Sequence, residues 1–388
     1  MKFWFGRKGA HQNSTLMGTR AGRVAARPLL VRAWGPAPPA GDWPRSYEAQ
    51  VREAYLGNPV AQRAVRLVAE SVAWAPVYAL DGAGGAAASA RALKLIGPGL
   101  LETVASQLLL HGNAYVQMLL DAEGVPADTF PLRPERVSVE ADAGGWPAAY
   151  VYKAGEAKSR LPARDGLGRP SLVHLKAMHP LDDHYGLGCL GAAAGAVAIH
   201  NAASRWNKAL LDNAARPSGA LVHAPSDGAA LSSDQYERLK AELELQFQGA
   251  DNAGRPLLLE GGLSWQALSL SPADMDFVGL KAAAAREIAL AFGVPPMLLG
   301  LPGDSTYANY REANRALWRL TVLPMAERIL GGIGVALGAW WPGVKLALDV
   351  DQVTALSEDR ERLWAQVSGA GFLSDEEKRE MLGFGKKS

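Results

Sequence analysis

The segment 289–300, Ala-Leu-Ala-Phe-Gly-Val-Pro-Pro-Met-Leu-Leu-Gly, constrains the fold of this chain more than any other. Gly293 can end a helix in the left-handed conformation, which glycine adopts without steric cost. Pro295 and Pro296 prevent the helix from resuming, because proline lacks a backbone N–H and clashes with the preceding turn. A polar turn and a second helical pattern follow. The sequence therefore predicts two long helices joined by a short, exposed loop.

The composition is that of a folded protein of ordinary charge. The chain has 388 residues, 48% hydrophobic and 20% charged, enough for a sizeable core in two or three domains. The net charge of +1 excludes a protein that binds nucleic acid through its overall charge. The single cysteine, Cys189, excludes an internal disulfide and a cysteine-based zinc site, and fits a reducing compartment. The apolar stretches 100–120 and 330–344 are interrupted or too short to span a membrane.

The first half of the chain predicts a basic arm followed by an α+β unit. Residues 1–46 contain a Pro-rich linker and are expected to form a flexible arm. Asn58 and Pro59 are typical of a helix start, and Gly112 of a helix end. Alternating apolar residues then predict antiparallel strands. The predicted segments are strand 74–80, loop 81–88, helix 99–110 and strands 114–119, 136–140, 149–153 and 172–177.

The second half predicts a helical hairpin that carries a small β/α insert. An Ala-rich helix over 187–214 has too little side-chain volume to fill a core, so Ala194 and Ala198 are expected to pack against a neighbouring helix or subunit. The remaining predictions are the insert 217–270, with a hairpin of 257–259 and 263–267; a second long helix from the cap at 271 to about 292; a helix over 307–330 kinked at Pro324; and two short charged helices over 356–384.

Several enzyme-like patterns fail on their context. Residues 186–191 match G-x-G-x-x-G, but they do not follow a strand directly within a βαβ unit, so they predict a helix start with small packing residues. The Gly-Lys-Lys at 385–387 lacks the other elements of a P-loop. His174, His179 and His184 recur every five residues, which fits neither a helix face nor a common zinc pattern. No cofactor, metal site or catalytic residue is predicted.

Short sequence motifs that follow one another in a fixed order indicate a family resemblance. The motifs are His-Gly-Asn-Ala-Tyr at 111–115, Val-His-Leu-Lys at 173–176, Tyr-Gly-Leu-Gly at 185–188, Pro-Ser-Gly at 217–219, Asn-Ala-Gly at 252–254 and Phe-Gly-Val-Pro-Pro at 292–296. Over nearly all of 58–384 the chain resembles portal proteins of siphophage type. It is similar to those of gene transfer agents and related prophages.

The resemblance implies an α+β portal-type fold that assembles into a ring of twelve subunits at one capsid vertex, through which double-stranded DNA passes. In such a fold 47–185 is a β-rich wing, 186–216 and 271–299 form the stem, 217–270 is the clip, 300–307 is the tunnel loop, 308–355 returns to the wing and 356–388 is a short crown. The implied partners are the large terminase ATPase, a head-tail adaptor and the major capsid protein, with no membrane. The implied location is the virion, after assembly in the bacterial cytoplasm.

Two sets of residues are the candidates for function. The DNA channel is assigned to Leu301, Pro302, Gly303, Asp304, Ser305, Thr306, Tyr307, Lys281 and Arg286. Docking of motor and adaptor is assigned to Tyr236, Glu237, Glu242, Glu244, Asn252 and Trp265. Tyr236 also begins an apolar stripe, with Leu239, Leu243 and Phe247, that is typical of a helix face buried in a core.

A channel through which DNA slides is expected to have few basic residues. Each contact between a basic side chain and a phosphate strengthens binding without reading the sequence, and many such contacts would slow the movement of the duplex. Two alternatives stay open: a virion ring or adaptor without a DNA-translocating loop, and a DNA-processing enzyme with a basic arm.

Overall fold

A computed structural model of the chain describes residues 46–80, 85–212, 219–223, 232–247, 263–267, 276–301 and 307–382. The predicted arm therefore lies outside the described residues. The helices are α1 (Tyr47–Val51), α2 (Pro59–Ala73), α3 (Gly85–Lys94), α4 (Pro98–His111), α5 (Leu190–Asp212), α6 (Ser233–Phe247), α7 (Phe277–Ala291), α8 (Tyr307–Leu317), α9 (Leu323–Leu337), α10 (Ser357–Gly369) and α11 (Asp375–Met381). The strands are β1 (Val77–Leu80), β2 (Asn113–Leu120), β3 (Pro126–Leu132), β4 (Val137–Ala141), β5 (Pro147–Ala154), β6 (Ala157–Pro162), β7 (Leu172–Lys176), β8 (Gly219–His223), β9 (Leu263–Ala267) and β10 (Lys345–Leu348).

The main core forms around α2, α4 and α9. The side chain of Asn58 caps α2 by accepting hydrogen bonds from the N–H groups of Val60 and Ala61, both at 3.0 Å. Gly112 ends α4 in the left-handed conformation at φ 80°, as predicted. The buried faces of these helices present small and branched apolar side chains that allow close packing.

Besides the β8–β9 pair, the described residues form three antiparallel sheets. Strand order is β3-β2-β7 in one and β4-β5-β6 in the second, and β1 pairs with β10. The register sets Val77 opposite Leu348, which joins segments from the two ends of the described chain. The second sheet encloses a smaller apolar cluster that includes Tyr115 and Tyr150. The predicted α+β unit of antiparallel strands is confirmed.

Helices α5 and α7, which are predicted to form the stem, run antiparallel. The rings of Trp206 on α5 and Phe277 on α7 stack with centroids 5.8 Å apart. Farther along, His200 on α5 lies close enough to Lys281 on α7 for their charges to interact. Residue numbers that rise along α5 therefore lie opposite numbers that fall along α7. Strands β8 and β9, which lie between these two helices in the chain, also pair antiparallel.

Several sequence predictions of element boundaries were wrong. Residues 85–88 belong to α3 rather than to a loop, because an Ala-rich segment favours helix once Ala88 and Ala92 are buried. Strand β1 begins at Val77, three residues later than predicted. Strands β3 and β6 were not predicted, since prolines and exposed polar residues mask the alternation typical of a strand.

The helical hairpin and its insert also differ in detail from their prediction. Strand β9 pairs with β8; the predicted partner 257–259 lies outside the described residues, so that pairing stays a prediction. Helix α7 is capped by Asp276 at φ 39°, not by the predicted residues around 271. Helix α5 begins at Leu190 rather than 187. A π-helical turn over Trp318–Val322 precedes Pro324, which lies in the first turn of α9, and the helix continues to Leu337; the predicted kink at Pro324 stays a prediction.

Within the described residues, one continuous helix, Ala308–Leu337, has the length and composition to cross a membrane. A bent pair of helices, α3 with α4, passes the same test together. The most apolar window of Ala308–Leu337 is 44% buried within the protein, and Ile329 and Ile333 lie in the main core. Core helices of this kind share their composition with membrane spans.

Candidate functional site

The loop after α7 is held firmly where it begins. Gly293 adopts φ 65°, and the hydroxyl of Thr321 donates a 2.7 Å hydrogen bond to its carbonyl oxygen. A 3₁₀ turn over Pro296–Leu299 follows, and Gly300 turns left-handed at φ 70°. The helix end at Gly293 is therefore confirmed.

The tip of this loop lies outside the described residues. Pro302, Gly303, Asp304, Ser305 and Thr306 make up the tip. On one side Leu301 is half-buried, and on the other Tyr307 is the first residue of α8. The loop therefore connects two defined helical ends, and the DNA-channel assignment of these residues stays a prediction.

A charged cluster that sequence analysis missed fixes α8. The guanidinium of Arg315 lies 2.7 Å from a Glu358 oxygen on α10 and 2.9 Å from Glu312 on its own helix. Arg311 makes a second contact to Glu358 at 2.5 Å. Only 12% of the Arg315 side chain is exposed, so the cluster is shielded from solvent more than a surface ion pair. Glu358 lies more than 40 positions along the chain, too far for a helical-spacing rule to predict the pair.

The two basic stem candidates point in different directions. Lys281 is half-buried and lies near His200 of α5, whereas Arg286 is exposed. They are five residues apart, about 140° around a helix, so they lie on separate faces. The buried face of α7, with Ala284, Ala285 and Ile288, lies around Lys281 and away from Arg286. Arg286 is the more exposed of the two, and the DNA-channel assignment of both stays a prediction.

The small residues of α5 divide between the interior and the surface. Ala194 is buried within its own subunit, with 9% of its surface exposed, and Ala198 is half-buried. Ala192 and Ala202 are exposed. Packing of α5 against a neighbouring subunit stays a prediction, and the exposed pair has the better access for it.

The candidate docking residues lie on α6 and β9. A reciprocal capping box begins α6: the Ser232 hydroxyl accepts from the Gln235 N–H at 3.3 Å, and the Gln235 side chain accepts from the Ser232 N–H at 3.0 Å. Tyr236 is 57% exposed, so the expectation of a fully buried stripe was wrong at its first member. Glu237 is exposed beside it.

The other docking candidates are only partly described. Glu242 and Glu244 belong to α6 and Trp265 to β9, but their side chains lie outside the described residues, as does all of Asn252. Their docking role stays a prediction.

The glycine-rich pattern at 186–191 is a backbone contact. A Cβ on Gly186 would collide with the carbonyl oxygen of Gly112, and one on Gly188 with that of Leu110. The N–H of Cys189 donates to Leu109 at 2.8 Å, so this segment packs directly on the end of α4. The interpretation as packing residues is supported, and it explains why α5 begins late.

His174 on β7 makes a polar contact and a stacking contact with residues of β2. Nε2 of His174 lies 3.0 Å from Oδ1 of Asn113, and its ring stacks on Tyr115 at 4.3 Å. Burial, followed by the charge of Lys176, lowers the pKa of His174 to about 3. No group of three or more His, Cys, Asp or Glu side chains in the described part of the chain is placed to hold a metal ion.

Comparisons with known proteins converge on one class. A family model described as phage portal protein matches residues 59–383. The chain is similar to a protein in the neck of an empty gene transfer agent particle solved with C6 symmetry, with 47% identity, a TM-score of 0.68 and coverage of 89% of this chain and 95% of that one.

Two further matches agree. The neck of the native gene transfer agent particle, solved with C12 symmetry, gives 46% identity, a TM-score of 0.66 and coverage of 89% and 95%. A probable portal protein of Streptomyces phage phiC31 is 28% identical over 214 residues, covering 54% of this chain and 46% of that protein.

Proposed function

The chain belongs to the phage portal protein family, which makes it a connector between head and tail, and we propose that twelve copies form a ring through which double-stranded DNA is packaged and ejected. Two observations carry the proposal: the family match over 59–383, and the similarity, over 89% of this chain, to proteins in necks solved with C6 and C12 symmetry. Closed cyclic symmetry builds a ring with an axial opening from one chain. The ring belongs to the virion, at the capsid vertex, and assembles in the bacterial cytoplasm before DNA enters.

The antiparallel stem supports a channel wall. Its helices α5 and α7 expose few charges along their length, and Arg286 is the basic candidate with access to the lumen. A wall with few cations suits translocation, because each phosphate contact adds salt-dependent grip. The loop between Leu301 and Tyr307 is the element proposed to touch the duplex, since both of its ends are anchored in the folded chain.

We assign the insert with α6 and β9 to docking of the large terminase ATPase and then of the head-tail adaptor. Exposed Tyr236 and Glu237 favour this role, because an aromatic side chain beside a charge is typical of interface anchors. The ring itself carries out no chemistry in this proposal, and the motor supplies the work. The outer wing is the surface proposed to meet the major capsid protein.

Negative-stain microscopy of the purified full chain tests the proposal. We expect rings with an axial hole, and no cleavage of linear or circular DNA in the presence of Mg²⁺. A monomer that cuts DNA would favour a DNA-processing enzyme instead. Rings that assemble into particles but leave packaged DNA unchanged when the loop is altered would favour a ring or adaptor without a translocating loop.

A second experiment tests the docking assignment. Replacing 217–270 with a Gly/Ser linker is expected to leave rings intact and to abolish terminase binding in a pull-down. A matched variant, Leu167→Ala in a wing loop, is expected to bind normally because Leu167 is exposed far along the chain from the insert. Normal packaging by particles that lack the insert would remove it from the docking site.

A further inference from the structure

An open groove lies beside the base of the loop-bearing helix. It encloses about 430 Å³ between the π turn before α9, the segment that follows β10, and α10. Its apolar lining comes from Leu323, Val350, Leu356 and Leu363. Leu356 is buried, while the other three remain half-exposed, so an apolar surface faces an opening rather than the packed core. The free energy falls when another apolar group covers such a surface and removes it from water.

The rim of the groove is charged. Arg360 is bound to Asp351, and Arg319 reaches Asp359 only at 4.0 Å. The Arg319 side chain is 64% exposed. A guanidinium carries five N–H donors, so Arg319 retains capacity for a second carboxylate at the mouth of the groove.

An exposed aromatic side chain lies just beyond the C-terminal end of α10, whereas the groove is lined by residues of its N-terminal half. Phe372 is 88% exposed, although phenylalanine ordinarily contributes to a core or an interface. Its position is defined: the N–H of Leu373 donates to Ala370 at 3.3 Å, and Ser374 with Glu377 forms a capping box that begins α11. Phe372 is therefore a knob presented on an ordered turn.

We propose that Phe372 of one subunit docks into this groove of the neighbouring subunit. The proposal rests on the proposed ring, and names one contact that closes it. A ring is built from heterologous contacts, in which two different patches of the same chain meet. An exposed aromatic knob and an open apolar groove on one chain are such a pair; α10 contributes part of the groove lining, and the knob follows its C-terminal end.

The charges around the two patches are complementary. Asp375 and Glu376 follow the knob in the exposed first turn of α11, while Glu377 is engaged in the capping box. The proposed docking pairs these carboxylates with the exposed guanidinium of Arg319. Aromatic and arginine side chains together are typical of the residues that dominate binding at interfaces.

Photo-crosslinking tests the contact without removing the aromatic ring. Phe372→p-benzoylphenylalanine is produced in the full chain, and ¹⁵N-labelled and unlabelled subunits are co-assembled and irradiated. We expect links from position 372 to peptides containing Leu323 or Leu363, with mixed isotopes that identify two different subunits. The same substitution at Leu167, which is 76% exposed, is the control and is expected to give no link to the groove.

Assembly measurements provide an independent readout. Phe372→Ala is expected to raise the concentration for half-assembly by about ten-fold or more, as for an interface anchor, while Leu167→Ala leaves it unchanged. Arg319→Glu is expected to weaken assembly, and Asp375→Lys with Glu376→Lys in the same chain to restore it. Circular dichroism confirms that each variant is folded.

The outcomes separate this contact from the ring itself. If wild-type rings form but position 372 links only within its own chain, or not to the groove, the contact is overturned while the ring stands. Normal assembly of Phe372→Ala would also overturn the contact, and would mean that 383–388 or an adaptor fills the groove instead. Absence of wild-type rings under all conditions would instead overturn the proposed function.

Discussion

The side-chain amide of Asn58 lies 3.1 Å from Nδ1 of His200, and this buried contact joins the first core helix to the stem. The Oδ1 of Asn58 is occupied by the two helix N–H groups that it caps. Its nitrogen must therefore face His200, so it donates and Nδ1 accepts. The same side-chain nitrogen also donates a hydrogen bond to Oδ1 of Asn201, at a distance of 2.8 Å. One side chain thus caps α2 and fixes the imidazole on α5 in a form with no proton on Nδ1.

Asn58→Ala is expected to lower the free energy of unfolding by about 2–4 kcal/mol, because it removes a helix cap and leaves two buried partners unsatisfied. Urea unfolding monitored by circular dichroism measures the change. Ser46→Ala is the matched control: Ser46 caps α1 at 3.2 Å but is exposed, so its loss is expected to remain below about 1 kcal/mol. Equal effects of the two variants would mean that the buried contacts of Asn58 contribute nothing.

Acidification is expected to destabilise the fold through His174. Above its ordinary pKa of 6.5, folded and unfolded states both hold a neutral imidazole, and the group has no effect. As pH falls from 6.5 toward about 3, the unfolded state binds a proton that the folded state refuses, so stability is lost across this window. Between pH 6.5 and 5.5 the loss is about 1 kcal/mol. Burial and then Lys281 lower the pKa of His200 too, and its contribution has the same sign.

The free energy of unfolding of the wild type and of His174→Gln, measured at pH 7.5 and at pH 5.5, checks this assignment. The variant is expected to be less stable at pH 7.5, because the stacking on Tyr115 is lost, but to show a shallower decline on acidification. An unchanged decline would assign the pH dependence to other groups.

The glycines at 186–191 are expected to divide by position. Gly186→Ala and Gly188→Ala each drive a Cβ into backbone atoms of the α4 end, so each is expected to lower stability by about 2–4 kcal/mol. Gly191→Ala meets no atom within 4 Å inside α5, and is expected to stabilise by about 0.5–1 kcal/mol. Differential scanning calorimetry compares them. A dinucleotide that raises the Tm of the wild type would contradict the packing role.

Leucine on the exposed face of α5 is expected to impair ring formation. Ala192→Leu with Ala202→Leu adds bulk where a neighbouring subunit would pack, so light scattering is expected to show smaller species at an unchanged Tm. Ala194→Leu overfills the interior of the subunit itself and is expected to lower the Tm by several degrees. Normal rings from the exposed-face variant would remove α5 from the interface.

Serine at both ends of the proposed tunnel loop is expected to reduce packaged DNA. Leu301→Ser with Tyr307→Ser leaves the core intact, so rings are expected to form. Nuclease-protected DNA per particle, measured by quantitative amplification, is expected to fall several-fold relative to Leu167→Ser. Full DNA content in well-formed variant particles would show that the loop has no role in translocation.

Local signals were sufficient to predict much of the architecture. Asn58 with Pro59, Gly112 and Gly293 all act on the backbone within a few residues, so their effects were predicted from the sequence alone. Apolar alternation likewise predicted β2, β4, β5 and β7, because side chains alternate between the two faces of a strand. The order of short motifs along the chain then indicated the family.

Tertiary structure decided what depends on residues that are distant in sequence. It paired Arg315 with Glu358, placed the cap of α7 at Asp276 and buried Ala194 within the subunit. It also created the groove from three separate segments and left Phe372 exposed. Periodicity carries no information about such contacts, since they depend on how helices pack in three dimensions. The sequence by itself therefore determined several helix ends, most of the described strands and the family, while packing alone decided which faces remain available to a neighbouring subunit.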